Sequence, residues 1–158
     1  MRPLVSFFVP GIPIPKGSHR AREKRRSRMS RVFGGRQWAI VDEPEVYLWQ
    51  QAVGMVALVH LRDAEPPKWE LIDTAVAMDI LYVLPRKKSA KPHESCIELA
   101  AVKPDLDKCE RAIFDALQGV IYTQDSRVTS VRHRKRVAPH GEPEAVGVKI
   151  QIGLDTGE

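Results

Sequence analysis

The chain has 158 residues, of which 43% are hydrophobic and 28% charged, and its formal net charge is +5. These values are typical of a soluble globular domain that buries a core of its own. No apolar run approaches the roughly 18 residues that a membrane span requires, so no membrane association is expected. Cys96 and Cys109 lack zinc-ligand spacing, and we expect two free thiols in a reducing cytoplasm.

The positive charge is concentrated near the N-terminus. Residues 16–36, here called the basic segment, contain nine lysines and arginines against one acid, Glu23, and the rest of the chain is net acidic. Such a local excess favours a mobile loop that contacts nucleic acid. The candidate DNA-binding residues of this segment are Lys16, Arg20, Arg22, Lys24, Arg25, Arg26, Arg28 and Arg31.

The remaining first half predicts two strands and a helix. Residues 4–9 are apolar but bounded by prolines, which indicates an edge strand and not a signal peptide. Pro44, acidic neighbours and an apolar stripe predict a helix over residues 44–61. Residues 75–84 form the strongest strand signal, and the Pro-bounded loop at residues 85–92 is a second basic surface for DNA.

The second half predicts a helix followed by two strands. Apolar residues recur at helical spacing over residues 107–118, and Gly119 is a plausible C-cap. Residues 127–137 and 145–152 indicate two antiparallel strands. The order of elements predicts an α/β (α+β) fold, with a mixed sheet flanked by two main helices in one domain over residues 1–158.

Three arginines on the first of these strands form a further candidate surface. Basic residues two apart project to one side of a strand, so these side chains either line a phosphate track or cover a solvated face. They are Arg132, Arg134 and Arg136.

Two carboxylates precede the second helix. Asp107 with Glu110 matches a capping pattern worth about 1 kcal/mol, which is the simplest explanation of that acid. A cap needs only one acid, however, and Asp105 should point to the same side of an extended segment. Neighbouring carboxylates are stabilised by a cation. If Asp125, in a later turn, converges on this pair, the three would suit Mg²⁺, with Mn²⁺ as the alternative.

The helix also carries a cation near the acids. Asp107, Arg111 and Asp115 lie at positions i, i+4 and i+8, on the face opposite the apolar stripe. Arg111 either neutralises an attacked phosphate or belongs to an ordinary surface ion-pair ladder.

These segments resemble the RusA-type Holliday-junction resolvases, endonucleases of phages and prophages. The matching stretches are "DLD" at residues 105–107, "RAIFDALQGVIY", "QDSRV" and the N-terminal "VPGIPIPKGSHRAR". The resemblance implies metal binding by Asp105, Asp107 and Asp125, and a homodimer. It places the family's catalytic lysine on Arg111. Lys108 occupies the position of the family's usual Asn and is the second candidate for the catalytic cation, and Gln124 occupies the position of an acid.

The resulting expectation is a Mg²⁺-dependent, structure-selective endodeoxyribonuclease. It would resolve Holliday junctions in the cytoplasm by paired phosphodiester hydrolysis during recombination and repair, without a small-molecule cofactor. Two alternatives stay open at this point. One is a non-catalytic DNA- or RNA-binding protein on the same scaffold, and the other is a less selective flap or fork nuclease.

Overall fold

The computed structural model describes residues 4–17, 20–23, 38–41, 44–63 and 70–157, in which a mixed sheet is packed against two helices. This architecture confirms the predicted α/β (α+β) class. Within those ranges, no helix has the length and apolar character needed to cross a membrane. The elements in chain order are β1 (Val5–Pro10), β2 (Arg20–Glu23), β3 (Trp38–Val41), α1 (Pro44–Arg62), β4 (Val76–Leu84), α2 (Leu106–Leu117), β5 (Val128–Val137) and β6 (Gly147–Leu154).

The main sheet has the strand order β1-β6-β4-β5. β4 and β5 are parallel, because α2 lies between them in the chain and makes the crossover that a parallel pair needs. β6 pairs antiparallel with both β1 and β4. β5 and β6 therefore run in opposite directions, as predicted, but β4 lies between them and they do not form a hairpin.

The basic segment contains a strand that the sequence did not indicate. β2 pairs antiparallel with β3, with Arg20 opposite Val41 and Glu23 opposite Trp38. The four residues of β2 are mostly charged, so they lack the apolar alternation that marks a strand. Residues 24–36 lie outside the described residues, and their predicted mobility stays a prediction.

Both helices pack on one face of the main sheet. α1 covers nearly the predicted range, and its buried side chains repeat at helical spacing, including Trp49, Val53 and Ala57. A Cβ atom on Gly54 would lie 3.3 Å from the Ala116 carbonyl oxygen, so the two helices approach closely at this glycine. The sheet contributes alternate residues to the same core: Phe7, Val9, Val76, Met78, Ile80, Tyr82, Val148, Ile150 and Ile152.

Candidate active site

α2 begins one residue before the predicted position, which changes the role of its acids. Asp105 occupies the N-cap position with φ −72° and ψ 138°, and Asp107 lies in the first turn. The interpretation of Asp107 as the N-cap is therefore wrong. The Asp105 side chain, at the N-cap, makes no capping hydrogen bond to the described residues of α2. Helix capping accordingly does not explain this pair of carboxylates.

Each carboxylate has a cation beside it. Lys108 Nζ lies 3.3 Å from an Asp105 oxygen, and an Arg111 nitrogen lies 3.6 Å from an Asp107 oxygen. The two acid side chains are 52% and 60% exposed, so both are accessible from solvent. Both Arg111, at the position of the family's lysine, and Lys108 thus lie at the acid pair, here meaning Asp105 and Asp107.

Lys135 holds the segment that delivers the acid pair to α2. Its ammonium donates to the carbonyl oxygens of Val102, at 2.5 Å, and Pro104, at 2.9 Å. Pro104 directly precedes Asp105, so this lysine fixes the backbone where the first acid begins. The sequence contained a signal for this role of Lys135. Residue 135 alternates with the three arginines, so its side chain lies on the helix-facing side of β5, where a basic group needs a partner.

We expect Lys135→Met to weaken the binding of a divalent ion at the acid pair. The substitution keeps an apolar stem but removes the ammonium that holds the Val102 and Pro104 carbonyls, so the acid pair would lose its fixed position. The dissociation constant for Mn²⁺, measured by electron paramagnetic resonance, should rise about tenfold, equivalent to about 1.4 kcal/mol. Lys149→Met, which removes an exposed lysine of β6, is the matched control. An unchanged Mn²⁺ dissociation constant in Lys135→Met would contradict this role.

The thiol beneath the acid pair is unreactive. Cys109 is 2% exposed, and burial raises its pKa to about 11, with a further increase from Asp107 and Asp105 and an opposing effect of Lys135. A neutral, buried thiol is a poor metal ligand and a poor nucleophile. Oxygen atoms therefore dominate the chemistry available at the start of α2.

Asp125 lies at the other end of α2. It opens a short 3₁₀ turn that leads directly into β5. Lys135, which contacts the segment before Asp105, is seven residues along β5 from Val128, a distance of about 23 Å for an extended strand. α2 itself is 12 residues long, or about 18 Å. One subunit therefore holds Asp125 well away from the acid pair.

The arrangement of the metal-ligating side chains leads to the same conclusion. Among the described residues, no group of three or more His, Cys, Asp or Glu side chains is arranged to hold a metal ion. Asp125 is instead close to Tyr122, whose hydroxyl donates to the Phe114 carbonyl at the end of α2. Burial raises the pKa of Tyr122, and the charges of Asp125 and Asp115 raise it further.

The predicted series of ion pairs along α2, from Asp107 through Arg111 to Asp115, is only partly present, because Asp115 has other partners. Asp115 accepts hydrogen bonds from Lys16 Nζ at 2.5 Å and from the Gln50 amide at 3.1 Å. The Lys16 backbone N–H also donates to the Lys108 carbonyl. Lys16, predicted to bind DNA, therefore attaches the N-terminal segment to α2.

The three arginines of β5 lie on the sheet face opposite the helices. Arg134 is 2.8 Å from Asp79 of β4, and Arg132 is 4.0 Å from the same carboxylate. Asp79, the acid that interrupts the β4 pattern, thus offsets part of this charge. Arg136 is exposed and lies further along the strand, opposite Val83.

The loop at residues 85–92 is organised by its own arginine. The Arg86 guanidinium donates to the carbonyl oxygens of Lys91, at 2.6 Å, and Glu94, at 3.0 Å. Lys87 and Lys88 remain exposed on this loop. Lys87 and Lys88 therefore form the basic surface of this loop, while Arg86 stabilises its fold.

The remaining predicted DNA contacts belong to the basic segment. Arg20 and Arg22 lie on β2. The other five lie outside the described residues: Lys24, Arg25, Arg26, Arg28 and Arg31.

Comparison with known proteins agrees with the motifs. The family model of the endodeoxyribonuclease RusA matches residues 10–152, which include both helices, the acid pair and Asp125. No curated protein matches the chain. Since the match covers most of the sequence, the chain belongs to the RusA endodeoxyribonuclease family.

Proposed function

We propose that this protein is a Mg²⁺-dependent endonuclease that resolves four-way DNA junctions by paired phosphodiester hydrolysis, in recombination and repair in the cytoplasm of a bacterial or phage-infected cell. The observation that carries the proposal is the acid pair, exposed at the start of α2 within a RusA-family sequence, with Lys108 and Arg111 beside it. Phosphodiester cleavage needs both features, namely oxygen ligands for a divalent ion and cations for the phosphate.

The donor set at the acid pair fits Mg²⁺. This ion prefers oxygen and is commonly held by one or two carboxylates together with water and substrate phosphate, so it does not require a complete protein cage. When bound, it would supply Lewis-acid chemistry at the scissile phosphate. Asp105 and Asp107 would hold the ion, while Lys108 and Arg111 would turn from the carboxylates to the phosphate oxygens. Arg111 can bind such a group through two parallel hydrogen bonds.

Asp125 would join this site through a second subunit. Because one chain keeps Asp125 at the far end of α2, it can serve as a ligand only if a homodimer brings Asp125 of the partner subunit to the acid pair. Two-fold symmetry would then produce two identical sites. A four-way junction needs two symmetric cuts, which such a pair of sites would supply.

DNA would be bound by the basic surfaces around these sites. They comprise the basic segment, the loop at residues 85–92 and the arginines of β5. Their role would be mainly to position the phosphate backbone, which makes binding strongly dependent on salt.

We expect two substitutions on the sheet face opposite the helices to shift this salt dependence in opposite directions. Arg136→Gln removes one phosphate contact and should reduce the slope of log K against log salt by about 1. Asp79→Asn removes the acid that offsets Arg132 and Arg134, so binding should tighten and the slope should steepen. Fluorescence anisotropy with a labelled junction at several salt concentrations measures both. Equal slopes in all three proteins would show that DNA does not contact this face.

Cleavage of a panel of synthetic DNAs tests the proposed function. The substrates are a four-way junction, a Y-shaped fork, a flap and a linear duplex, each incubated with Mg²⁺ or with EDTA. We expect paired, symmetric cuts in the junction, in Mg²⁺ only. Equal cutting of fork and flap would instead indicate a less selective nuclease, and binding without any cutting would indicate an accessory DNA-binding protein.

A further inference from the structure

An exposed aromatic side chain, Phe8, lies on the sheet face opposite the helices. Its neighbours Phe7 and Val9 are buried in the core, so alternation along β1 turns Phe8 to the other face, where it is 38% exposed. A Cβ atom on Gly147 would lie 2.5 and 2.7 Å from two carbons of this ring. The ring therefore lies across the bare backbone of β6, with its outer side toward solvent.

Phe8 belongs to a row of side chains that crosses the whole sheet. Phe8 of β1 is opposite Lys149 of β6. Leu81 of β4 is opposite both Lys149 and Arg134 of β5. These four residues are here called the transverse row, and three strand spacings make it about 14 Å long. The row thus joins an aromatic ring at one edge of the sheet to a guanidinium at the other, with a lysine between them.

The strands around the transverse row make this face strongly positive. Four exposed cations project from it, namely Lys149, Arg132, Arg134 and Arg136, against one carboxylate of the same strands, Asp79, whose side chain is 19% exposed. A second copy of the chain laid on this face would oppose like charges. The surplus of positive charge instead favours a polyanion.

An open cavity of about 380 Å³ adjoins the transverse row on the same face. Asp79 and Asp155 line it as hydrogen-bond acceptors, and Arg132 and Gln151 as donors. Gln151 is two residues along β6 from Lys149, so the cavity begins about 7 Å from the row. Its carboxylates would repel a phosphate but can accept from the N–H groups of a nucleobase, so the cavity suits the edge of an unpaired base.

We propose that the face centred on the transverse row binds unpaired nucleotides of branched DNA, with one base stacked on Phe8 and the backbone held by Lys149 and the arginines of β5. This inference rests on the DNA binding of the proposed function and names the part of the substrate that this face takes. A duplex hides the faces of its bases in the stack, whereas unpaired nucleotides offer them to an aromatic ring. The basic side chains position the phosphates without reading the sequence.

Fluorescence anisotropy in EDTA tests this surface, with a labelled single strand of mixed sequence and the duplex of the same sequence. We expect Phe8→Leu to raise the dissociation constant for the single strand about tenfold, as the loss of one stacked base predicts, and to leave that for the duplex within about twofold. Leucine keeps Gly147 covered, so this variant should fold, which circular dichroism checks. Equal weakening for both DNAs, or no weakening for either, would overturn the proposal.

Two further variants make the aromatic ring itself the tested feature. Phe8→Tyr keeps an aromatic face and should bind the single strand as the unmodified protein does. Tyr47→Leu removes an aromatic side chain that is 59% exposed on α1, on the other side of the sheet, and should leave both affinities unchanged. A folded Phe8→Tyr protein as weak as Phe8→Leu would refute stacking on this ring.

Photochemical cross-linking locates the stacked base. A single strand that carries 5-iododeoxyuridine is irradiated with the full-length protein, and the modified peptide is identified by mass spectrometry. We expect a cross-link at Phe8 that Phe8→Leu abolishes. Cross-links confined to residues outside β1 would overturn the proposed position of the base.

The same variants separate this inference from the nuclease proposal. A four-way junction with unpaired nucleotides at its branch should bind more tightly than a fully paired one, and Phe8→Leu should remove the difference. Mg²⁺-dependent junction cutting by a protein whose single-strand binding is independent of Phe8 would overturn this surface but leave the nuclease intact. Single-strand binding that depends on Phe8, in a protein that never cuts, would support the surface and refute the nuclease.

Discussion

Asp107→Asn should reduce cutting of a four-way junction at least 100-fold while leaving junction binding equal or tighter. The substitution removes one of the two charged oxygen donors at the start of α2 but keeps the size of the side chain. A divalent ion supplies several kcal/mol of charge stabilisation in phosphodiester cleavage, and about 2.7 kcal/mol corresponds to a factor of 100. Binding should not suffer, because the substitution removes a negative charge that would repel DNA phosphates at the proposed site.

The measurement compares single-turnover cleavage with binding in Ca²⁺ or EDTA. Glu144→Gln is the matched control, because it neutralises another exposed carboxylate in the turn between β5 and β6. It should cut as the unmodified protein does. If Asp107→Asn retained full cleavage, the acid pair would not be part of the catalytic machinery.

Gly147→Ala should destabilise the fold by about 3 kcal/mol, the upper part of the range for overpacking. Gly147 opens β6 beside Pro10 of β1. A Cβ atom there would collide with the Val9 carbonyl oxygen and lie 2.5 Å from Phe8 Cζ, whose ring crosses the strand at this point. The Phe8 ring is exposed and can turn aside, but the Val9 carbonyl cannot move away without disturbing the β1–β6 pairing.

Urea unfolding followed by circular dichroism measures this loss. Gly17→Ala is the control, because a Cβ atom on Gly17 would meet nothing within 4 Å. Its unfolding free energy should stay within about 0.5 kcal/mol of the unmodified value. A Gly147→Ala protein with the same stability would show that the backbone of β1 can shift at Val9 without cost.

The helices and the central strand were predictable because local signals mark them. Pro44 and Glu45 favour the start of α1, and the apolar spacing of α2 agrees with its buried face. Pro85 closes β4 where the strand ends. These features depend on residues close in sequence, which is why their bounds were found to within one or two positions.

The partners of the strands were not predictable in the same way. Alternation assigns a face to each residue of β5 and β6 but does not identify the neighbouring strand. That choice depends on the crossover through α2 and on the burial of Val148, Ile150 and Ile152 between β1 and β4. The pairing of β2 with β3 was missed because charged residues conceal it.

The sequence likewise predicted some residues of the candidate site and missed others. The acid pair, Lys108 and Arg111 lie within two helical turns, so sequence spacing placed them together. Lys135 and Asp79 were missed because their partners are distant in the chain. Asp125 could not be placed from its motif, since the length of α2 separates it from the acid pair in one subunit.

Binding of Mn²⁺, followed by electron paramagnetic resonance, tests the central claim most directly. The free Mn²⁺ signal should fall when the unmodified protein is added, and fall further with a four-way junction, because phosphate oxygens would add ligands for the ion. An Asp105→Asn/Asp107→Asn double variant should leave that signal almost unchanged, with or without DNA. Equal Mn²⁺ binding by both proteins would place the ion elsewhere and contradict the account.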